Sequence, residues 1–151
     1  MKRIIALLIL LSIASVAVTQ IINPVQWTFS SKKLADKVYE VRLTANVQGG
    51  WHIFSQNQPA DAINNPTEIL FNKNPLITLD GKAGESGKME LVSDKRLGIS
   101  ANQYSGKVEF VQKVRLKANV KTNISGSVEY QTCDDKKCLP PKKLVFNVAL
   151  S

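Results

Sequence analysis

Hydrophobic positions recur at every second residue along most of this chain, the period of a strand with one face buried and one wet. The clearest run puts Tyr39, Val41, Leu43, Ala45 and Val47 on one face and Glu40, Arg42, Thr44 and Asn46 on the other. A second run keeps Val108, Phe110, Val114, Leu116, Ala118 and Val120 in phase, with Gln112 the exception. Shorter stretches at Val25–Ser30, Trp51–Phe54, Thr67–Phe71, Leu76–Leu79, Met89–Val92 and Leu144–Leu150 read as further strands, and Ile124, Val128 and Tyr130 mark another. Polar or glycine- and proline-bearing breaks separate them: Ser31–Asp36, Gly49-Gly50, Asn72–Pro75, the glycine-rich Asp80–Gly87, the irregular Asp94–Gly106 and Thr122-Asn123. Gln56–Pro66 is long enough to be a functional loop rather than a connection. No segment sustains a helical period. The pattern predicts an all-β fold, an immunoglobulin-like β-sandwich whose core lies between two sheets.

The N-terminus departs from this pattern. Lys2-Arg3 precedes an almost wholly apolar Ile4–Val18, followed by small residues. This is the layout of a signal peptide and is short for a membrane span. It predicts a signal over residues 1–19, cleaved after Ala17 or Thr19, and one domain over residues 20–151. Ile21 and Ile22 could instead extend the run into an uncleaved anchor. Either way the domain leaves the cytosol. Its 151 residues, 44% hydrophobic and 21% charged, suit one globular domain. The formal charge of +8 is spread along the chain. No basic run interleaves with aromatics, so nucleic acid is not an expected partner.

The candidate chemistry sits in Tyr130-Gln131-Thr132-Cys133-Asp134-Asp135-Lys136-Lys137-Cys138-Leu139-Pro140-Pro141, which holds both cysteines. In an exported protein two thiols are normally oxidised, and two can pair in one way only, Cys133 with Cys138. A structural staple, a metal site and dithiol–disulfide exchange are the competing readings. Closing so short a loop stabilises by only about 2 kcal/mol, which argues weakly for a bond made to be opened. Zinc needs about four ligands, and two cysteines with the single His52 fall short, so no metal or other cofactor is expected. His52 reads as packed or hydrogen-bonded beside Trp51 rather than as a ligand or base. Exchange needs an attacking thiolate, a resolving thiol and access for a partner. Lys136 and Lys137 favour the thiolate and Asp134 and Asp135 oppose it, while Pro140-Pro141 stiffens the loop's exit. From the residues alone, exchange and bracing stand level.

The Tyr-Gln-x-Cys, short spacer, Cys-x-Pro-Pro arrangement resembles the active-site segment of the N-terminal periplasmic domain of DsbD, the thiol:disulfide interchange protein. Gly50-Trp51-His52-Ile53-Phe54-Ser55-Gln56 is similar to that family's glycine–aromatic strand, and Asn102-Gln103-Tyr104-Ser105-Gly106-Lys107 to its cap loop. The resemblance implies an immunoglobulin-like domain that carries reducing equivalents. It would take them from a thioredoxin-like donor and pass them to exported oxidoreductases or cytochrome c maturation proteins. Cys138 would form mixed disulfides and Cys133 resolve them. Tyr104 would cover the disulfide, with Asn102, Gln103, Tyr130 and Phe54 around it. Asn102 and Gln103 stand where the family's cap carries acidic residues. The family's membrane electron conduit and thioredoxin-like domain would have to be supplied by a separate chain. The alternative is a non-catalytic, extracytoplasmic binding module whose disulfide braces a loop.

Overall fold

The computed structural model describes residues 22–151; the expected signal segment lies outside the described residues. Nine strands and no helix occur among these: β1 (Val25–Ala35), β2 (Val38–Val47), β3 (His52–Phe54), β4 (Glu68–Phe71), β5 (Ile77–Asp94), β6 (Ile99–Leu116), β7 (Thr122–Tyr130), β8 (Thr132–Cys133) and β9 (Lys142–Leu150). The larger sheet runs β1-β2-β6-β3-β8 with β5 on the other edge of β6, and the smaller runs β4-β7-β9. All pairs are antiparallel. The fold is the expected all-β, immunoglobulin-like sandwich.

The alternation seen in sequence sets the core. Tyr39, Val41, Leu43, Ala45 and Val47 of β2 are all buried, as are Val108, Phe110, Val114 and Leu116 of β6. They face Ile124, Val128, Tyr130, Phe146, Val148 and Leu150 of the smaller sheet. Trp27 of β1 lies 5.8 Å from the Phe110 ring and 5.2 Å from the Tyr130 ring, joining the two layers at one edge. The Ser31 hydroxyl donates to the Ala149 carbonyl at 2.6 Å, tying β1 to β9 across the sandwich. Gln112, the phase exception, is fully buried but satisfied: its amide donates to the carbonyls of Asp80, Gly81 and Lys113.

Three predicted breaks are strands. Ser31–Ala35 continues β1, paired with β2 through a register shift between Lys33 and Ala35, and the reversal is confined to Asp36-Lys37, where Lys37 has a φ of 58°. The glycine-rich Asp80–Gly87 lies inside β5, with irregularities between Asp80 and Gly84 and between Gly87 and Met89. Ile99–Gly106, expected to be irregular, opens β6 and pairs with Met89–Asp94 in one long hairpin. The cause is common to all three. Backbone pairing with a neighbour does not require an apolar side chain, and these segments are exposed on at least one face. The hairpin turns at Asp94–Ile99, where the Asp94 carboxylate accepts the N–H groups of Arg96 and Leu97 and Gly98 takes a φ of 64°. In the opposite direction, Ala118 and Val120 fall beyond the end of β6.

Candidate functional site

β8 is two residues long and exists to deliver Cys133. Its pairing with β3 sets Thr132 opposite Ile53 and Cys133 opposite His52. After Cys133 the chain reverses at once. Cys133 and Cys138 form an antiparallel bridge flanked by Asp134 N–H to Lys137 carbonyl (2.9 Å) and Leu139 N–H to Thr132 carbonyl (2.8 Å). The two cysteines are therefore a non-hydrogen-bonded pair, the cross-strand position at which Cα atoms come closest; theirs are 4.0 Å apart and the sulfurs are bonded. The Asp134 carboxylate holds the reversal by accepting the N–H groups of Lys136 (2.8 Å) and Lys137 (2.7 Å). Those two hydrogen bonds hold its pKa below the ordinary 3.8. The sequence suggested that Asp134 opposes a thiolate through its charge. Its carboxylate is instead engaged in closing the turn.

The two sulfurs differ in access. Cys133 is 2% exposed and packs with Phe54, itself 1% exposed, and Ala101 in a small cluster separate from the main core. Cys138 is exposed at the tip side of the same bond. Phe54 is fixed on both sides: its carbonyl accepts the Thr67 hydroxyl at 2.5 Å, and the His52 ring meets its ring edge-on at 5.4 Å. A cavity of about 190 Å³ opens beside this cluster, lined by His52, Phe54, Ala101, Gln103, Val92 and Ile99 among others. A second groove, of about 250 Å³, runs on the other side of the loop between Leu139-Pro140-Pro141 and Ile22-Asn23-Pro24. There the Lys142 ammonium donates to the Asn23 side-chain oxygen at 3.0 Å.

The sequence expected Tyr104 over the disulfide; the structure places it elsewhere. Tyr104 pairs with Ile53, whereas Cys133 pairs with His52, one residue along β3. Successive residues of a strand point to opposite faces, so Tyr104 and Cys133 lie on opposite sides of the sheet. Tyr104 is 3% exposed within the main core, and its hydroxyl donates to Glu85 Oε2 at 2.6 Å. The same carboxylate accepts the Ser55 hydroxyl at 2.7 Å and the Gln56 N–H at 2.6 Å. Burial and that carboxylate push the Tyr104 phenol well above its ordinary 10. Asn102 is a staple for the Gln56–Pro66 loop: it donates to the Asn57 carbonyl at 2.8 Å, and its backbone exchanges hydrogen bonds with the Gln58 side chain. Gln103, the second residue of the supposed cap, does line the cavity, together with His52, Phe54 and Ala101. Tyr130 is buried against Trp27 in the main core.

Sequence reasoning missed two participants. Ala101 shares the buried face of Cys133, and His52 stands directly opposite Cys133. The signal for His52 was present: it lies two residues before Phe54 on a strand, and so on the same face. Among the described residues no group of three or more His, Cys, Asp and Glu side chains is placed to hold a metal ion. No helix among them is long and apolar enough to cross a membrane.

Among curated protein sequences, none matches. Among solved structures, the N-terminal domain of Neisseria meningitidis DsbD in its reduced form is similar at 16% identity and a TM-score of 0.49, over 82% of this chain and 84% of that one. The complex between the N-terminal domains of DsbD and PilB from the same organism gives 16% identity and a TM-score of 0.51, over 85% and 87% of the two chains. The N-terminal periplasmic domain of ScsB from Proteus mirabilis gives 16% identity and a TM-score of 0.49, with 82% of this chain matching 44% of that one. The family model described as thiol:disulfide interchange protein DsbD, N-terminal, matches residues 19–150, nearly the whole chain, and the chain belongs to that family.

Proposed function

We propose that this domain is a periplasmic carrier of reducing equivalents that works by thiol–disulfide exchange at Cys133 and Cys138. The observation that carries the reading is the asymmetry of the pair, with one sulfur exposed and its partner buried on the short strand β8 that pairs with β3. Exchange proceeds by attack on one sulfur and resolution by the other, so a bond with one open end suits it. Cys138 is the sulfur that a partner can reach, and Cys133 is the sulfur that closes the bond behind it. Membership of the DsbD N-terminal family supports the chemistry. The related DsbD domain solved in complex with a PilB domain supports a protein as the docking partner. Thioredoxin-fold proteins serve as reductant and as oxidised acceptors. Phe54 packs with the buried sulfur and pairs with Gln103 on β6, so the aromatic beside that sulfur is Phe54 rather than Tyr104.

The test is a trap. Cys133→Ala leaves Cys138 free to form a mixed disulfide that cannot be resolved, so a covalent adduct with a periplasmic thioredoxin-fold protein should accumulate. Cys138→Ala should give none. Absence of any adduct with Cys133→Ala, together with a potential below about −300 mV for the intact pair, would assign the disulfide to bracing instead.

A further inference from the structure

Resting on the exchange reading, we propose that His52 is the acid–base partner of Cys133, taking the proton from its thiol as that sulfur closes the disulfide. Cys133 poses a chemical problem. A thiol must lose its proton before it can attack, and a thiol enclosed by Phe54 and Ala101 holds its proton more tightly than one in water. Lys136 and Lys137, which the sequence offered as thiolate-stabilising charges, are on the exposed turn beyond the bridge. The group at hand is His52. It sits directly across the β3–β8 ladder from Cys133, a position at which paired side chains have Cβ atoms about 4.5–5.5 Å apart. Its ring is braced edge-on against Phe54, the same ring that covers Cys133, so histidine, phenylalanine and cysteine form one contiguous patch on one face of the sheet.

The surroundings keep the imidazole in its accepting form. Partial burial holds its pKa below the ordinary 6.5, against the opposing pull of Asp135 and Asp134 on the turn and of Glu90 on β5. Asp94 lines the same cavity at the end of β5, and Gln103 and Asn64 are its uncharged polar neighbours. At neutral pH, then, His52 is uncharged and can accept a proton. Once protonated, the imidazolium is stabilised by the carboxylates of Asp135, Asp134 and Glu90. Imidazole is a nearer match to a thiol than a carboxylate is, because the ordinary carboxylate pKa lies lower still.

The step balances. In the mixed disulfide, Cys138 is bonded to the partner's sulfur and Cys133 is a thiol. His52 takes the Cys133 proton, the Cys133 sulfur attacks the Cys138 sulfur, and the Cys138–partner bond breaks. The partner's sulfur leaves as a thiolate and is protonated, with the imidazolium as the donor at hand. Over both steps the domain loses two electrons and two protons, and the partner's disulfide becomes a dithiol. In the opposite direction the same imidazolium protonates Cys133 as it leaves.

Ellman's reagent, used as the disulfide substrate, separates the two steps. The reduced protein should release nitrothiobenzoate in two phases, first as Cys138 attacks and then as Cys133 resolves. His52→Gln should leave the first phase unchanged. It should slow the second at pH 7 on the order of 100-fold. The wild-type second phase should rise with pH through an inflection below 6.5 and then level, and His52→Gln should lack that inflection. An unchanged second phase in rate and pH profile overturns the proposal and leaves the exchange reading standing. A wild-type protein with no second phase overturns the exchange reading itself. Should His52→Gln fail to fold, by circular dichroism, the wild type still decides. As the chain has one histidine, its ring proton resonances report His52 alone. Its titration should move between the dithiol and disulfide forms, and an identical titration in both refutes the pairing.

Discussion

Removing the Phe54 ring should both loosen the fold and uncover the buried sulfur. Phe54 is 1% exposed, and its neighbours are Ala101, Cys133 and the edge of His52. Taking a buried phenylalanine side chain back to alanine forfeits about 2–3 kcal/mol of transfer free energy. The unfilled space adds a cavity penalty, and measured Phe→Ala costs of about 3–5 kcal/mol include both. The upper half of that range applies if the site stays rigid. Rigidity is expected because the Phe54 backbone is held by the Thr67 hydroxyl and by pairing with Gln103. For a domain of this size about 4 °C of Tm accompanies each kcal/mol, so Phe54→Ala should melt about 16–20 °C lower. Phe54→Leu, which keeps most of the volume, should cost about half as much or less. Melting followed by circular dichroism gives the first number. Alkylation of reduced Cys138→Ala protein by iodoacetamide gives the second, since only Cys133 then remains to react. Phe54→Ala should speed that reaction at least tenfold, with Phe54→Leu between. A Tm within about 3 °C of wild type, or an alkylation rate unmoved by the loss of the ring, would refute the claim that Phe54 is what covers Cys133.

Reducing the disulfide should lower Tm by about 8 °C and no more, because the bond closes a separation of 5 residues and such a loop returns about 2 kcal/mol; a fall of 20 °C in calorimetry would mean that the bond holds up more than its own loop. Tyr104→Phe deletes the donor to Glu85 while keeping the ring, and should cost about 1.5 kcal/mol in denaturant melts while leaving both phases of disulfide exchange at the wild-type rate; slowed exchange would return Tyr104 to the site. Asp134 has a folded pKa below its ordinary 3.8, so it stabilises the turn above that value and the contribution is lost as pH falls through the folded pKa. Acid titration of stability should therefore show a component below pH 3.8 that Asp134→Asn removes, and an unchanged acid limb would count against the turn's dependence on that carboxylate.

The sequence was most legible where one face of a strand is buried. Tyr39 to Val47 alternates because β2 lies in the middle of the larger sheet with its odd-numbered side chains in the core. It was least legible along the β5–β6 hairpin, where Asp80–Gly87 and Ile99–Ser105 carry polar and small residues into strand. There Asp80–Gly87 pairs with Val108–Lys113, well beyond the hairpin turn, and neither polar segment carries a local period that announces it. The cysteine loop could be read because its chemistry and spacing are local. The cap could not, because which face Tyr104 takes depends on its register with Ile53, a long-range quantity. For the same reason His52 looked like a neighbour of Trp51 in sequence, while the ladder makes it a neighbour of Cys133.

The groove between Ile22-Asn23-Pro24 and Leu139-Pro140-Pro141 has a practical consequence. Residue 22 lies alongside the reactive turn, so a purification tag or carrier protein fused immediately before it would crowd the doorstep of any docking enzyme. β9 leaves that turn at Lys142 and runs to Leu150, roughly 27 Å away at about 3.4 Å per residue. An affinity handle, a fluorophore or a surface linkage placed after Ser151 would keep the sulfurs facing open solvent.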